Sequence, residues 1–93
     1  MKIKDNELLR QFEMITKTGL VTIEYAIQEK KLFLTKFCEN ENVDLAVQDE
    51  FITSVLEIAK ERNFKVVPTH SKLVKFFRAN KRYCELLPPG IKI

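Results

Sequence analysis

The chain predicts an α+β fold, a mixed-sheet α/β arrangement in the order βββαβα. Three observations predict it. Between Gln11 and Cys38, apolar residues alternate with polar ones in three successive runs, which is the period of half-buried strands. From Asp44 to about Arg62 the period becomes that of a helix. The stretch Phe64–Leu87 then passes from a short β-branched segment, through a proline, into a second amphipathic helix.

Residues Met1 to Glu7 are polar and read as a loose lead-in or short cap. Gln11 to Lys17 is the first strand, with Phe12 and Met14 on one face and Glu13 and Lys17 on the other. Lys17-Thr18-Gly19 is a turn, where glycine supplies a positive φ. Leu20 to Gln28 is the clearest strand, with Val21, Ile23, Tyr25 and Ile27 sharing a face. Glu29-Lys30 turns the chain without the Asn-Gly signal of a tight hairpin. Leu32 to Cys38 is the third strand, and simple alternation puts Phe33 and Phe37 on one side, Leu32 and Leu34 on the other.

After the polar loop Glu39–Asn42, Asp44 is placed to cap the long helix. The helix's inner face is Val47, Phe51, Val55 and Ile58, backed by Ile52, Leu56 and Ala59. Asn63 follows at the position of a left-handed C-cap. Phe64-Lys-Val-Val67 is the fourth strand, and Pro68 stops it. In the final helix Leu73, Phe76 and Phe77 fall on one side, and Lys72, Lys75, Arg78 and Arg82 on the other. His70 stands at the junction of strand and helix. Pro88-Pro89-Gly90 ends the fold, and Ile91-Lys92-Ile93 is a tail. The third strand, long helix and fourth strand make a βαβ unit, so these two strands should run parallel through a right-handed crossover.

With 93 residues, 45% hydrophobic and 31% charged, the chain reads as one domain over residues 1–93 with a modest core. No apolar run approaches the roughly 20 residues of a membrane span. The N-terminus lacks the apolar segment of a signal peptide, which points to the cytoplasm. There Cys38 and Cys84 are expected as free thiols. They have no CxxC partner and only one histidine accompanies them, so no metal site is expected.

The net charge of +3 conceals a split. Glu39 to Glu61 holds seven acidic residues and one basic, Lys60; Arg62 to Cys84 holds seven basic and no acidic. The basic row suits a polyanion electrostatically. Its phenylalanines are spaced as core rather than as stacking platforms, so nucleic acid is not the expected partner.

The hairpin GLVTIEYAIQEKKLFLT and the stretch KVVPTHSKLVKFFRANKRY together resemble the small single-domain GNAT-like acetyltransferases. The resemblance covers about Phe12 to Leu87. Its more specific part is the second stretch, where family members typically read KVVPLCPFVAAYIKRHPEY. Lys65, Val66, Val67, Pro68, Arg78 and Tyr83 keep their places at unbroken spacing, with Val74 close to a match. The resemblance implies a GNAT-like core that transfers an acetyl group from acetyl-CoA to an amine acceptor.

The chain departs from the family in two places. The family's glycine-rich, arginine-bearing loop before the long helix is replaced by Asn42-Val-Asp-Leu-Ala-Val-Gln-Asp-Glu50, with no glycine and no cation. Carboxylates there stabilise the helix start and repel phosphate, by roughly 1–4 kcal/mol per close pair. His70 stands where the family carries a cysteine. It is the candidate catalytic residue, as a general base, and its alternative role is to cap the helix. The segment Leu34-Thr-Lys-Phe-Cys38 replaces the family's histidine and glutamate. The expectation is therefore an acetyl-CoA-dependent N-acetyltransferase-like protein of weak or absent activity. The alternative is a non-catalytic GNAT-fold module that binds a protein partner.

Overall fold

The computed structural model describes residues 3–17, 19–38 and 45–90. The elements are β1 (Ile3–Asn6), β2 (Gln11–Thr16), β3 (Gly19–Gln28), β4 (Lys31–Cys38), α1 (Leu45–Glu61), β5 (Lys65–Pro68), α2 (Ser71–Ala79) and a 3-10 helix (Lys81–Leu86). The expected cap Asp44, the loop from Glu39 and the tail Ile91–Ile93 lie outside the described residues.

The sheet is mixed, with five strands in the order β1-β2-β3-β4-β5. The first four are antiparallel neighbours, and β5 lies parallel to β4 across the α1 crossover, as the βαβ reading requires. The segment expected to be loose is instead β1, paired from Ile3↔Met14 to Asn6↔Gln11. Ile3 is its one half-buried apolar anchor, Asn6 donates to Glu13 of β2, and Asp5 supplies its side-chain links to β3 and the end of α1.

The β2–β3 hairpin closes at Thr16↔Gly19, where Gly19 takes φ 135°. That value lies in the region glycine alone enters freely. The β3–β4 hairpin closes at Gln28↔Lys31 with Glu29 at φ 51° and Lys30 at φ 62°. A two-residue loop with both φ positive matches the right-handed twist of its strands. Neither residue has an intrinsic preference for that region. Replacing Glu29-Lys30 by Asn-Gly is therefore expected to raise stability by about 1 kcal/mol, read as a higher urea midpoint with unchanged slope. An unchanged or lower midpoint contradicts this.

β4 corrects the simple alternation. Its register on β3 shifts between Glu24↔Lys36 and Tyr25↔Leu34, leaving Thr35 without an opposite residue. One extra residue reverses the facing of everything beyond it. Leu32, Leu34 and Phe37 are consequently all buried on one face, and Phe33 lies on the other, opposite Val67.

The inner face carries Phe12, Met14, Val21, Ile23, Tyr25, Leu32, Leu34 and Val66. Phe51, Ile52, Val55, Leu56 and Ala59 of α1 pack against it, with Leu73, Phe76 and Phe77 of α2 in the same cluster. Val47 and Ile58, expected in the core, are half-buried at its margin. α1 ends in a Schellman motif. Asn63 sits at φ 61°, its N–H donates to Lys60 O (3.1 Å), and the Phe64 N–H donates to Ala59 O (2.9 Å).

The basic helix is shorter than its pattern implied. It stops at Asn80 (φ −129°, ψ 68°), whose side-chain amide and backbone N–H both donate to Phe76 O. The chain continues as the 3-10 helix. Tyr83 and Leu86 re-enter the core there, and Glu85 meets Lys60 of α1 at 3.4 Å. Among the described residues, no helix is long and apolar enough to cross a membrane.

Candidate functional site

The C-terminal ends of two adjacent parallel strands are the usual place for a site in such a sheet, because chains leave them in different directions. Here β4 and β5 pair from Lys31↔Lys65 to Leu34↔Pro68. The pairing ends with Thr69, whose N–H (3.2 Å) and Oγ1 (2.9 Å) both donate to Leu34 O. β4 then continues to Cys38 with β3 alone. A notch opens between the last four residues of β4 and the start of α2. Among the described residues, no strand pairs with this edge of Thr35–Cys38.

Phe37 is the floor of the notch. It is buried, and three groups converge on its ring. Phe51 of α1 stands edge-on at 6.3 Å, the His70 ring lies at 6.5 Å, and the Lys72 ammonium sits 5.7 Å from its centre. The Thr35 bulge is what turns Phe37 inward, so the sheet irregularity and the notch have one cause.

His70 is the N-cap of α2, in extended conformation (φ −92°, ψ 139°). Its Nδ1 accepts the Lys72 N–H at 3.2 Å, and its carbonyl accepts from Leu73 and Val74 at 3.0 Å each. Pro68 favours this start, since it ends β5 and cannot extend it. A ring nitrogen that accepts from a backbone N–H holds the lone pair. In the neutral imidazole the proton is then on Nε2. The ring nitrogen left for a ligand is thus a donor, whereas a general base needs an acceptor there.

The other residues singled out in the sequence scatter. Lys72 is at the notch, while Lys75 and Arg78 lie along the exposed side of α2. Lys36 turns away to the far face and pairs with Glu24 at 3.9 Å. Cys38 is half-buried on that far face, opposite Thr22, and Cys84 donates to Phe77 O at 3.8 Å; both are free thiols. Among the described residues no three histidine, cysteine or carboxylate side chains gather as a metal site would require.

At the opposite end of the sheet is a polar cluster that sequence reading missed. Tyr25, buried on the inner face, donates its hydroxyl to Asp5 Oδ1 at 2.5 Å, and Arg62 at the end of α1 donates to Asp5 Oδ2 at 2.7 Å. One carboxylate thereby ties β1, β3 and α1 together. Burial, then the hydrogen bond to the Asp5 anion, pushes the Tyr25 hydroxyl up to about 12. The hydrogen bond to Asp5 likewise raises Arg62. The one available signal was Tyr25 itself, since a tyrosine on the core face of a strand needs a partner for its hydroxyl.

The anion cradle that acetyl-CoA requires does not fit the residues described. The first turn of α1 carries no basic side chain, and exposed Asp49 and Glu50 follow. At the start of α2, the Lys72 N–H that would serve a phosphate is already taken by His70. No family model matches the chain, and no curated protein matches it.

Proposed function

We propose that the chain is a GNAT-like domain that serves as a binding module and does not transfer acetyl groups. One observation carries this. Among the described residues no strand pairs with the last part of β4, and this edge lies in a notch beside a histidine whose lone pair is already committed to its own helix. An unpaired strand edge offers backbone N–H and C=O groups to an extended segment, the mode in which a peptide adds as a further strand. The Phe37 ring, with His70 and Lys72 packed against it, gives that segment an apolar boundary beside the edge. The partner this suits is an extended stretch of another protein. Acetyl transfer needs a proton acceptor at the amine and a place for the pyrophosphate. In this chain His70 presents a donor, and the first turn of α1 carries no cation to meet a phosphate.

A second reading, a weak acetyl-CoA-dependent N-acetyltransferase, is favoured by the same notch and by the resemblance over Phe12–Leu87. The two readings separate in a thiol-release assay with acetyl-CoA and a panel of amine acceptors. Wild type and His70→Asn, which keeps an N-capping side chain, are both expected to release no thiol above background. Release by the wild type that disappears in His70→Asn establishes the second reading instead.

A further inference from the structure

The four-residue loop between β1 and β2, Glu7–Arg10, presents two leucines to water. Leu8 is 92% exposed and Leu9 59% exposed. They are not held out by slack chain. Asn6 Oδ1 accepts the Leu9 N–H at 3.1 Å, Arg10 is fixed at φ 52°, and the Arg10 carbonyl accepts the Tyr25 N–H at 2.8 Å. A polar side chain would serve such a loop equally well, so two rigidly displayed leucines mark a contact surface.

Beside this tip lies an open groove of about 570 Å³. Ile27, 41% exposed, and half-buried Phe64 form its apolar floor, and the Asp5–Arg62 pair forms one wall. Glu7 and Arg10 stand on its rim, one on each side of the leucines. Neither has an ion-pair partner within the chain among the described residues. One patch thus carries an apolar knob, an apolar socket, and a carboxylate and a guanidinium that form no ion pair within 4 Å among the described residues, Glu7 acting on Arg62 only at longer range. A surface that contains both halves of a contact is complementary to itself, which is the requirement of a two-fold interface.

We propose that this end of the domain docks on a second copy of the chain. Leu8 and Leu9 enter the partner's groove, and Glu7 pairs with the partner's Arg10, while the reciprocal contacts form across the axis. The occupant is a second copy because the patch supplies knob, socket and both charges at once, so a two-fold axis opposes Glu7 with Arg10 twice, whereas a uniformly acidic or basic partner leaves one rim residue opposed by its own sign. The patch is at the opposite end of the sheet from the notch, so this inference stands independently of the function proposed above.

Sedimentation velocity on the full chain tests it. With two leucines from each copy and two ion pairs the interface is small, so wild type is expected to pass from monomer to dimer between about 10 and 500 µM. Leu8→Glu is expected to remain monomeric throughout with an unchanged thermal midpoint, since the side chain touches little in the monomer. Glu7→Arg alone and Arg10→Glu alone each place like charges across the axis and are expected to weaken dimerisation at least tenfold. An equimolar mixture of these two variants restores both pairs and is expected to dimerise as wild type does. Wild type that stays monomeric to 500 µM overturns the proposal. So does a dimer that persists in Leu8→Glu, or a pair of charge variants that fail to associate when mixed.

Discussion

Phe51→Ala is expected to lower unfolding free energy by about 3–5 kcal/mol, the range for removing a fully buried aromatic ring. Phe51 has no exposed surface and lies in the centre of α1, among Val55 and the inner strands. Its ring also supports Phe37, on which the notch is built. Two losses therefore combine: the transfer free energy of the ring, and a cavity that α1 cannot close without sliding along the sheet. A domain of this size is stable by about 5–15 kcal/mol, so a large share disappears. Urea titration followed by circular dichroism measures it. Phe51→Leu, which refills most of the volume, is expected to recover more than half of the loss. If Phe51→Ala costs less than about 1 kcal/mol, α1 is not seated on the sheet as described.

Asp5→Ala is expected to cost about 2–4 kcal/mol, a large effect for a residue four positions from the chain start. The substitution leaves the Tyr25 hydroxyl and the Arg62 guanidinium without their common acceptor. The tyrosine hydroxyl is the costlier of the two, because it is buried while Arg62 reaches water. The same cluster sets an alkaline limit. A raised tyrosine pKa means that the folded state holds the proton more tightly than the unfolded chain. Its contribution is fully present below the unfolded value of about 10 and is lost as pH rises towards 12. The two-unit difference corresponds to roughly 2–3 kcal/mol. Thermal midpoints should therefore fall between pH 10 and 12 more steeply in wild type than in Tyr25→Phe. Parallel pH curves for the two proteins contradict the assignment.

At the other end of the pH scale, Glu13 contributes in the opposite sense. Side-chain hydrogen bonds from Gln11 and Asn6 hold its carboxyl below the usual range, so that contribution exists above the unfolded value and fades as pH falls. Glu13 is half-buried and still reached by solvent, which screens the effect. The acid-side decline is expected to be shallower than the alkaline one.

How much of this was legible in the sequence depended on whether local pattern or tertiary contact decides each feature. β2, β3 and α1 were legible because one face of each is buried, and burial imposes period 2 or 3.6 on the chain. The parallel β4–β5 pair followed from the crossover rule, and Asn63 from its position after the last apolar turn. β1 was not legible. Only Ile3 in that segment is apolar and described, and what holds the strand is a carboxylate whose partners lie 20 and 57 residues away. The Thr35 bulge was hidden for a different reason. Leu32, Phe33 and Leu34 are consecutive apolar residues, which carry no parity, so nothing locally marks where the facing reverses. His70 was legible as a residue at a helix start, and its capping role with it. The state of its ring was not, since that depends on which neighbour donates to Nδ1. The GNAT-like reading stands on motif resemblance, and the binding reading on the notch.

The most direct test of the central claim is a calorimetric titration of the purified chain with acetyl-CoA, at low and at physiological salt. A binding module whose α1 start carries no cation and whose α2 start is capped by a committed histidine is expected to show no heat of binding up to about 1 mM cofactor, a ceiling worth only about 4 kcal/mol. A dissociation constant in the micromolar range, in either buffer, would contradict the account. It would mean that phosphate is held without glycines, and it would return His70 to the list of catalytic groups.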